Sequence, residues 1–490
     1  MTSTTIKAGL VKKTVTGTLW AYAALYGGKF VNLIGITILA RILSQEEFGV
    51  ASYALVVISL LDFPGLGIGP ALVFHRREKE RTNTAFWLAI VIGLTMTVLT
   101  ALFAPLAGTY FNDPRAVPVT RALSVYFIIV ALGVVPSSLL NKELSFKRKF
   151  FPDLAGAINK GIFSIVLALV GFGAWSLVAG NLVNTLTTTI FLWLVWRSNW
   201  RPSLHFDASY ARSLLIYGAH IVSIYFLGIL LLNVDYLLVG RYLGAAALGV
   251  YVLAFRIPEL LIKQFYSAIS EVLFPVFTKV KEEAGALEYG FLHAMRYISL
   301  MTIPMALGLA LVARPLILTV FGEKWAEAIP VTSAIALYTL FRSFYFNAGD
   351  LFKAQGRPAV ITRLHIFNLI VLVPALWFAV TRFGTINAVA WMQVAVVFTV
   401  GTIRLFVATR MLKIPFFNMI KVFIPALTCS AFMAVAVIAS LYLTNSSTPL
   451  VQLIVSITVG ALTYLGATYL LHKEMVLTAS RTLRAALVRG

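Results

Sequence analysis

Runs of roughly 20 mostly apolar residues recur along this 490-residue chain, each about the length that crosses a ~30 Å hydrocarbon core as a helix. With 60% of residues hydrophobic and 12% charged, about half the usual charged share, no soluble fold hides so much apolar surface. The bilayer does the burying. Polar breaks place spans near residues 17–42, 48–73, 84–107, 119–140, 150–170 and 174–196. Further spans fall near 213–240, 247–277, 291–313, 327–351, 359–380, 386–410, 421–443 and 450–471. The expectation is an all-α integral membrane protein with about 14 transmembrane helices.

A formal net charge of +21 would suggest nucleic acid in a soluble protein, so the position of the bases decides what the charge means. Even numbers of spans put both termini on one side, and loops rich in Lys and Arg stay cytoplasmic. With the N-terminus inside, Arg76, Arg77, Lys79 and Arg81, then Lys142, Lys147, Arg148 and Lys149, then Lys353, Arg357 and Arg363 all fall inside. Arg404, Arg410, Lys413 and Lys421 join them, whereas the outer loops hold only Arg41, Arg115, Arg121, Arg241, Arg314, Lys324 and Arg382. This is the positive-inside pattern of an inner membrane protein with cytoplasmic termini, and nucleic acid is not needed to explain it. Lys7, Lys12 and Lys13 precede an apolar stretch too long for a signal peptide, so it reads as a retained first helix.

Segment 40–61 aligns without gaps to segment 240–261, matching Arg41 with Arg241, Leu43 with Leu243, Gly49 with Gly249 and Ala54 with Ala254. An even number of spans per repeat predicts two parallel six-helix lobes, and transporters often bind substrate between such halves. Residues 1–212 form the first lobe and 213–412 the second, while 413–490 hold a further helix pair and a cytoplasmic tail.

Ionisable groups inside a bilayer are costly and usually face a cavity or a partner. Lys29, Lys160, Lys263 and Arg342 fall near the middle of four separate spans. Lys29 shares a helix face with Tyr22, Tyr26 and Asn32, and Arg256, Glu259, Lys263, Tyr266, Ser267 and Ser270 form a second polar stripe beside Pro258. Candidate substrate-binding residues are Lys29, Asn32, Lys160, Arg256, Lys263 and Arg342, whose cations suit a diphosphate or acidic sugars. The competing reading is internal neutralisation, because Glu259 lies within one helical turn of both Arg256 and Lys263.

Asp62, Asp235 and Glu259 are the deepest acids and the candidates for coupling or gating, with helix-packing ion pairs as the alternative. Asp62 precedes Pro64, Gly65, Gly67, Gly69 and Pro70, a broken-helix pattern. The six histidines are never paired at ligand spacing, no Asp-x-Asp occurs, and Cys429 stands alone. No metal site, no catalytic residue and no cofactor is expected, while coupling to a proton or sodium gradient stays open.

Several stretches carry a family resemblance: Thr84-Ala85-Phe86-Trp87, Leu140-Asn141-Lys142-Glu143-Leu144-Ser145-Phe146-Lys147-Arg148 and Gly171-Phe172-Gly173-Ala174-Trp175-Ser176. Trp200-Arg201-Pro202-Ser203-Leu204, Asn233-Val234-Asp235, Gly240-Arg241-Tyr242-Leu243-Gly244, Leu273-Phe274-Pro275 and Gly322-Glu323-Lys324-Trp325 extend it. With these, residues 30–360 resemble the polysaccharide transporter branch of the multidrug, oligosaccharidyl-lipid and polysaccharide flippase superfamily, in particular colanic acid and teichuronic acid exporters. The last hundred residues match weakly, and Pro64 departs from the Asp-x-Gly-Leu that similar proteins carry after the acid.

The resemblance implies a flippase that moves undecaprenyl-diphosphate-linked oligosaccharide units from the cytoplasmic to the periplasmic leaflet by alternating access, for surface polysaccharide synthesis. Its partners would be the lipid-linked oligosaccharide and the phospholipid bilayer, with a polysaccharide polymerase and assembly proteins as further candidates. The rivals are a drug or cation antiporter, which needs acids in excess in its cavity, and a membrane-embedded glycan polymerase, which needs a sizeable outer loop with catalytic carboxylates.

Overall fold

The structure, a computed structural model, describes residues 27–62, 68, 69, 72, 79–143, 145–196, 200–283 and 285–473. Tyr22, Tyr26, Pro64, Gly65, Gly67 and Pro70 lie outside these residues, as do both termini and the side chain of His220. Every described element is helical. Among the described residues ten helices are long and apolar enough to cross a membrane, one of them a 56-residue stretch, Tyr225–Val280. Large apolar side chains stay exposed along these helices, as at Leu106 (62%), Val435 (69%) and Leu470 (80%), which only a hydrocarbon surround accommodates. The chain divides into two compact units, Met1–Gly249 and Val250–Gly490.

The first unit holds α1 (27–42), α2 (Gln45–Leu61), α3 (Lys79–Phe111), α4 (Ala116–Ser124), α5 (Tyr126–Lys142), α6 (Phe146–Leu169) and α7 (Ala174–Val195), then α8 (Ala208–Pro258) as far as Gly249. Ser44 starts α2 with a capping box: its hydroxyl accepts from the Glu47 amide at 3.2 Å, and its own amide donates to the Glu47 carboxylate at 2.7 Å. Helices α6 and α7 pack with small residues at the seam. A methyl group on Gly180 would stand 1.8 Å from the Ser164 hydroxyl, the close approach that membrane helices use in place of a hydrophobic drive.

Two of the family-like stretches, far apart in sequence, meet at one end of this unit. Trp200 donates through Nε1 to Asn83 at 2.9 Å, Trp87 donates to the Ser203 carbonyl at 2.8 Å, and Asn83 also bonds the Ser203 hydroxyl. Phe86 meets Trp200 edge to face at 5.9 Å. These contacts hold the end of the helix bundle together, and the indole N–H groups of Trp87 and Trp200 each find an acceptor.

Gly244 (φ 85°, ψ −174°) breaks α8 in its middle, a backbone shape that glycine adopts without steric cost. Beyond it, Gly249 comes so near α2 that an added methyl would lie 2.1 Å from the Gln45 carbonyl oxygen. An added methyl on Gly49 would lie 1.7 Å from the Ala245 carbonyl oxygen. The contact is reciprocal: shifting Gly49 and Gln45 by 200 residues gives Gly249 and Ala245.

The second unit continues α8 into a π-helical turn, Glu259–Lys263, followed by α9 (Gln264–Val280), α10 (Ala286–Leu311), α11 (Ala313–Val320), α12 (Ala328–Ala354), α13 (Pro358–Phe383), α14 (Ile386–Met411), α15 (Phe416–Leu443) and α16 (Pro449–Leu471). Helix α12 is the most enclosed, packing on α9, α10, α13 and α14. It is entered from Gly322 (φ 97°) through a short turn that buries Trp325 completely. Helices α15 and α16 form a hairpin joined by Ser440 and Ser456 at 3.0 Å, and they pack on α10 and α11 through Val312, Met433, Val437 and Leu453.

Candidate functional site

Pro258 has no amide hydrogen, and the backbone bonding directly after it widens to the i→i+5 pattern over Glu259–Lys263. The Gln264 amide closes this turn on the Glu259 carbonyl. Such a turn aims side chains differently from a regular helix. It brings the Glu259 carboxylate to 2.6 Å from Lys263 Nζ, with both side chains about a third exposed, at 33% and 30%. Arg256 and Arg342 also act on Glu259 through space. The second unit thus gathers four of the predicted residues, Arg256, Glu259, Lys263 and Arg342, into one cluster of three cations and one carboxylate.

Arg342 occupies the face of α12 that also carries Tyr338 and Tyr345, at spacings of four and three. Its Nη1 donates to the Tyr338 hydroxyl at 3.1 Å, and its guanidinium lies 5.9 Å from that ring's centre. Tyr266 and Tyr345 complete its surroundings. Tyr266, 1% exposed, packs beside Phe346 at 5.0 Å. Where α9 meets the far end of α12, the buried Asp350 accepts from the Ser270 hydroxyl and from Lys353 Nζ at 3.3 Å. Cation, phenols and hydroxyls on this scale suit a polyanion that is also hydrogen-bonded.

Sequence reasoning missed Arg404, which it assigned to a cytoplasmic segment. The structure corrects this: Arg404 is 7% exposed within α14, its guanidinium 4.6 Å above the Tyr345 ring. The signal was present, because Arg404 shares its helix face with the buried Val397, Val400, Gly401, Leu405 and Ala408. His365 on α13 was likewise passed over, and it senses Arg404, Arg342 and Lys353 electrostatically.

The predicted residues of the first unit lie on α1, α6, α8 and the end of α2. Lys160 Nζ donates to Asn181 on α7 at 2.8 Å. Asn32 donates to the Gly28 carbonyl of its own helix at 2.9 Å. Lys29 is half-buried on α1, which runs against α6 through Gly28 and Gly35. Asp62, at the end of α2, accepts from the Tyr126 hydroxyl at 2.7 Å, and Ser59 bonds Asn233 at 2.8 Å. Asp235 is 2% exposed.

Between α3 and α4, Arg115 grips Asp113 through Nε at 3.0 Å and Nη2 at 2.9 Å, and reaches Glu46 at 2.7 Å. Partial burial raises the Asp113 carboxyl, but the Arg115 guanidinium and amide outweigh it and hold the group below the usual carboxylate range. Glu46, Arg115, Phe172 and Trp175 line a cavity of about 350 Å³ there. Among the described residues no three His, Cys, Asp or Glu side chains converge as a metal site.

Residues 38–330 match the family described as "Polysaccharide biosynthesis protein". The "Lipopolysaccharide biosynthesis protein WzxC" of Escherichia coli (strain K12) is 28% identical over 370 residues, 75% of each chain. The "Teichuronic acid biosynthesis protein TuaB" of Bacillus subtilis (strain 168) is 28% identical over 425 residues, 86% of each chain. Among solved structures, the lipid II flippase MurJ in an inward closed conformation has a TM-score of 0.74 at 15% identity, over 94% of this chain and 100% of that one. An inward-facing multidrug resistance transporter of the MATE family has a TM-score of 0.66 at 17% identity, over 80% and 98%. At those identities the structural likeness establishes the fold alone.

Proposed function

The chain belongs to the polysaccharide biosynthesis protein family, and from that premise we propose that it is a flippase for lipid-linked oligosaccharides. It takes undecaprenyl-diphosphate-linked repeat units from the cytoplasmic leaflet of a bacterial inner membrane and releases them in the periplasmic leaflet by alternating access. The reading is of a transporter and not of an enzyme. The observation that carries it is the charge balance of the second unit, where Lys263 bonds the Glu259 carboxylate and Arg256 and Arg342 act on the same group. A diphosphate or a uronic acid offsets that excess, and a cation does not. The antiporter alternative requires the opposite balance.

The finer architecture belongs to the same reading: about fourteen helices, both termini cytoplasmic, residues 1–212 and 213–412 as repeats, and 413–490 as an added helix pair with its tail. The reciprocal approach of Gly49 to Ala245 and Gly249 to Gln45 supports the 200-residue repeat, because paired contacts of this kind arise when two copies of one motif meet. In this account Lys29, Asn32, Lys160, Arg256, Lys263 and Arg342 contact substrate. Asp62, Asp235 and Glu259 serve coupling to a proton or sodium gradient, or gating. A polysaccharide polymerase and assembly proteins receive the product.

The test is deletion of the gene, followed by mass spectrometry of the lipid-linked oligosaccharide pool and its accessibility from each face of the membrane. Accumulation facing the cytoplasm, reversed by the wild-type gene, is the expected result. Unchanged pools with raised sensitivity to cationic drugs would move the protein to the antiporter class.

A further inference from the structure

Arg404 presents an unusual arrangement of donors. Its guanidinium carbon lies over the Tyr345 ring, 4.6 Å from its centre, a cation–π contact that uses none of its N–H groups. Yet Nε and Nη2, both fully buried, have no hydrogen-bond partner among the described residues. These two atoms carry the parallel N–H groups that grip an oxyanion side-on. Arg115 shows the geometry, holding both Asp113 oxygens through the same pair of atoms at 3.0 and 2.9 Å.

Burying a guanidinium whose fork meets no acceptor is costly, and no described carboxylate bonds Arg404. Its charged surroundings are of its own sign: Arg342 acts on it electrostatically, and both arginines act on His365. The position is nonetheless built with care. Gly401, one turn before Arg404, leaves room for the Tyr345 ring, since a methyl there would stand 3.1 Å from its Cδ1. Tyr266, whose hydroxyl is also buried without a partner among the described residues, acts on Arg342 from α9.

We propose that Arg404 and Arg342 form one oxyanion site inside the second unit, with Arg404 as the bidentate fork and Arg342 as the second charge. Its ligand is a phosphate or carboxylate group, which supplies the two acceptors that the fork lacks. The proposal rests on the transport reading for the source of that group, either the carrier diphosphate or an acidic sugar, but not for the existence of the site. It also adds a residue outside the Arg256–Glu259–Lys263 stripe.

The experiment measures thermal midpoints of the purified full-length protein in lipid nanodiscs, with inorganic pyrophosphate in one arm and glucuronate in the other. Wild type is expected to be stabilised in at least one arm, and the arm that responds identifies phosphate or carboxylate as the preferred group. Arg404→Gln is expected to weaken the apparent anion affinity about 10-fold or more, as loss of a charged hydrogen-bond pair implies. Without anion the same variant should be at least as stable as wild type, because an uncompensated buried charge has gone. Arg404→Lys, which keeps the charge and loses the fork, should fall between them. Arg410→Gln, on the same helix with its guanidinium over Phe406, should respond as wild type does.

No stabilisation in either arm overturns the site, as does an Arg404→Gln variant that is destabilised without anion yet keeps the full anion response. Failure of the transport reading would show separately, as an unchanged lipid-linked pool in the deletion strain alongside intact anion binding.

Discussion

Arg115 and Arg404 are the same side chain used in opposite ways. In the first unit, Arg115 has its fork filled by Asp113, and its Nη2 also reaches Glu46. Lys160 meets Asn181, and Asp62 meets Tyr126. In the second unit, the cations Arg256, Lys263 and Arg342 act on Glu259, and two fork atoms of a fourth cation, Arg404, have no partner among the described residues. A structural ion pair closes its own accounts locally, whereas a binding site keeps charge that its own residues do not neutralise. The two units thus place their predicted residues differently, with locally bonded side chains in the first and an excess of cations in the second.

The sharpest way to break this comparison is truncation in the charged cluster. Lys263→Ala and Arg342→Ala are each expected to cut export by about 10-fold or more, the loss of a charge-assisted contact, with normal amounts of protein in the membrane by immunoblot. Asp113→Ala in the first unit should do the reverse. It strands Arg115 with only Glu46 and should cost about 1 kcal/mol of stability, seen as a lower thermal midpoint, while export per molecule stays within about twofold.

Tyr126→Phe sharpens the comparison from inside the first unit. Losing the hydroxyl that donates to Asp62 should cost about 1 kcal/mol and leave export near wild type. A collapse of export at unchanged protein levels would show that this hydroxyl, and not the Asp62 carboxylate alone, takes part in coupling or gating.

The smallest effect is on pH. Arg115 holds the Asp113 carboxyl below its ordinary value, so its stabilisation is complete above the unfolded carboxylate range, near 4. It is lost as pH falls through the depressed folded value. Thermal midpoints taken from neutral to acid pH should therefore fall more for wild type than for Asp113→Asn.

Much of this was legible in the sequence where one rule dominated. Apolar run length marked the helices, and the Glu259–Lys263 spacing beside Pro258 marked the polar stripe before its π turn was visible. The shift of 200 residues pointed to Gly49 and Gly249, which approach the backbone at Ala245 and Gln45. Arg404 was misplaced although its helix face is apolar, because its distance from the end of α14 resembles that of an interfacial arginine. Packing against Tyr345 from another helix decides for burial. The partner of Asp62 was hidden for the same reason: Tyr126 lies far away in sequence and is joined by tertiary contact alone. The Trp87 and Trp200 stretches were recognisable as a family pattern, but their physical reason, a shared hydrogen-bonded cap, needed the fold.

The central claim is that the second unit's cations move a lipid-linked anion. Its most direct test is a flipping assay in proteoliposomes loaded with undecaprenyl-diphosphate oligosaccharide, reading glycan on the outer leaflet with a membrane-impermeant lectin. The account predicts that wild type exposes the glycan far faster than protein-free vesicles and that Lys263→Ala combined with Arg342→Ala abolishes the gain. Wild type no faster than empty vesicles, or a double variant that transports as wild type does, would contradict it.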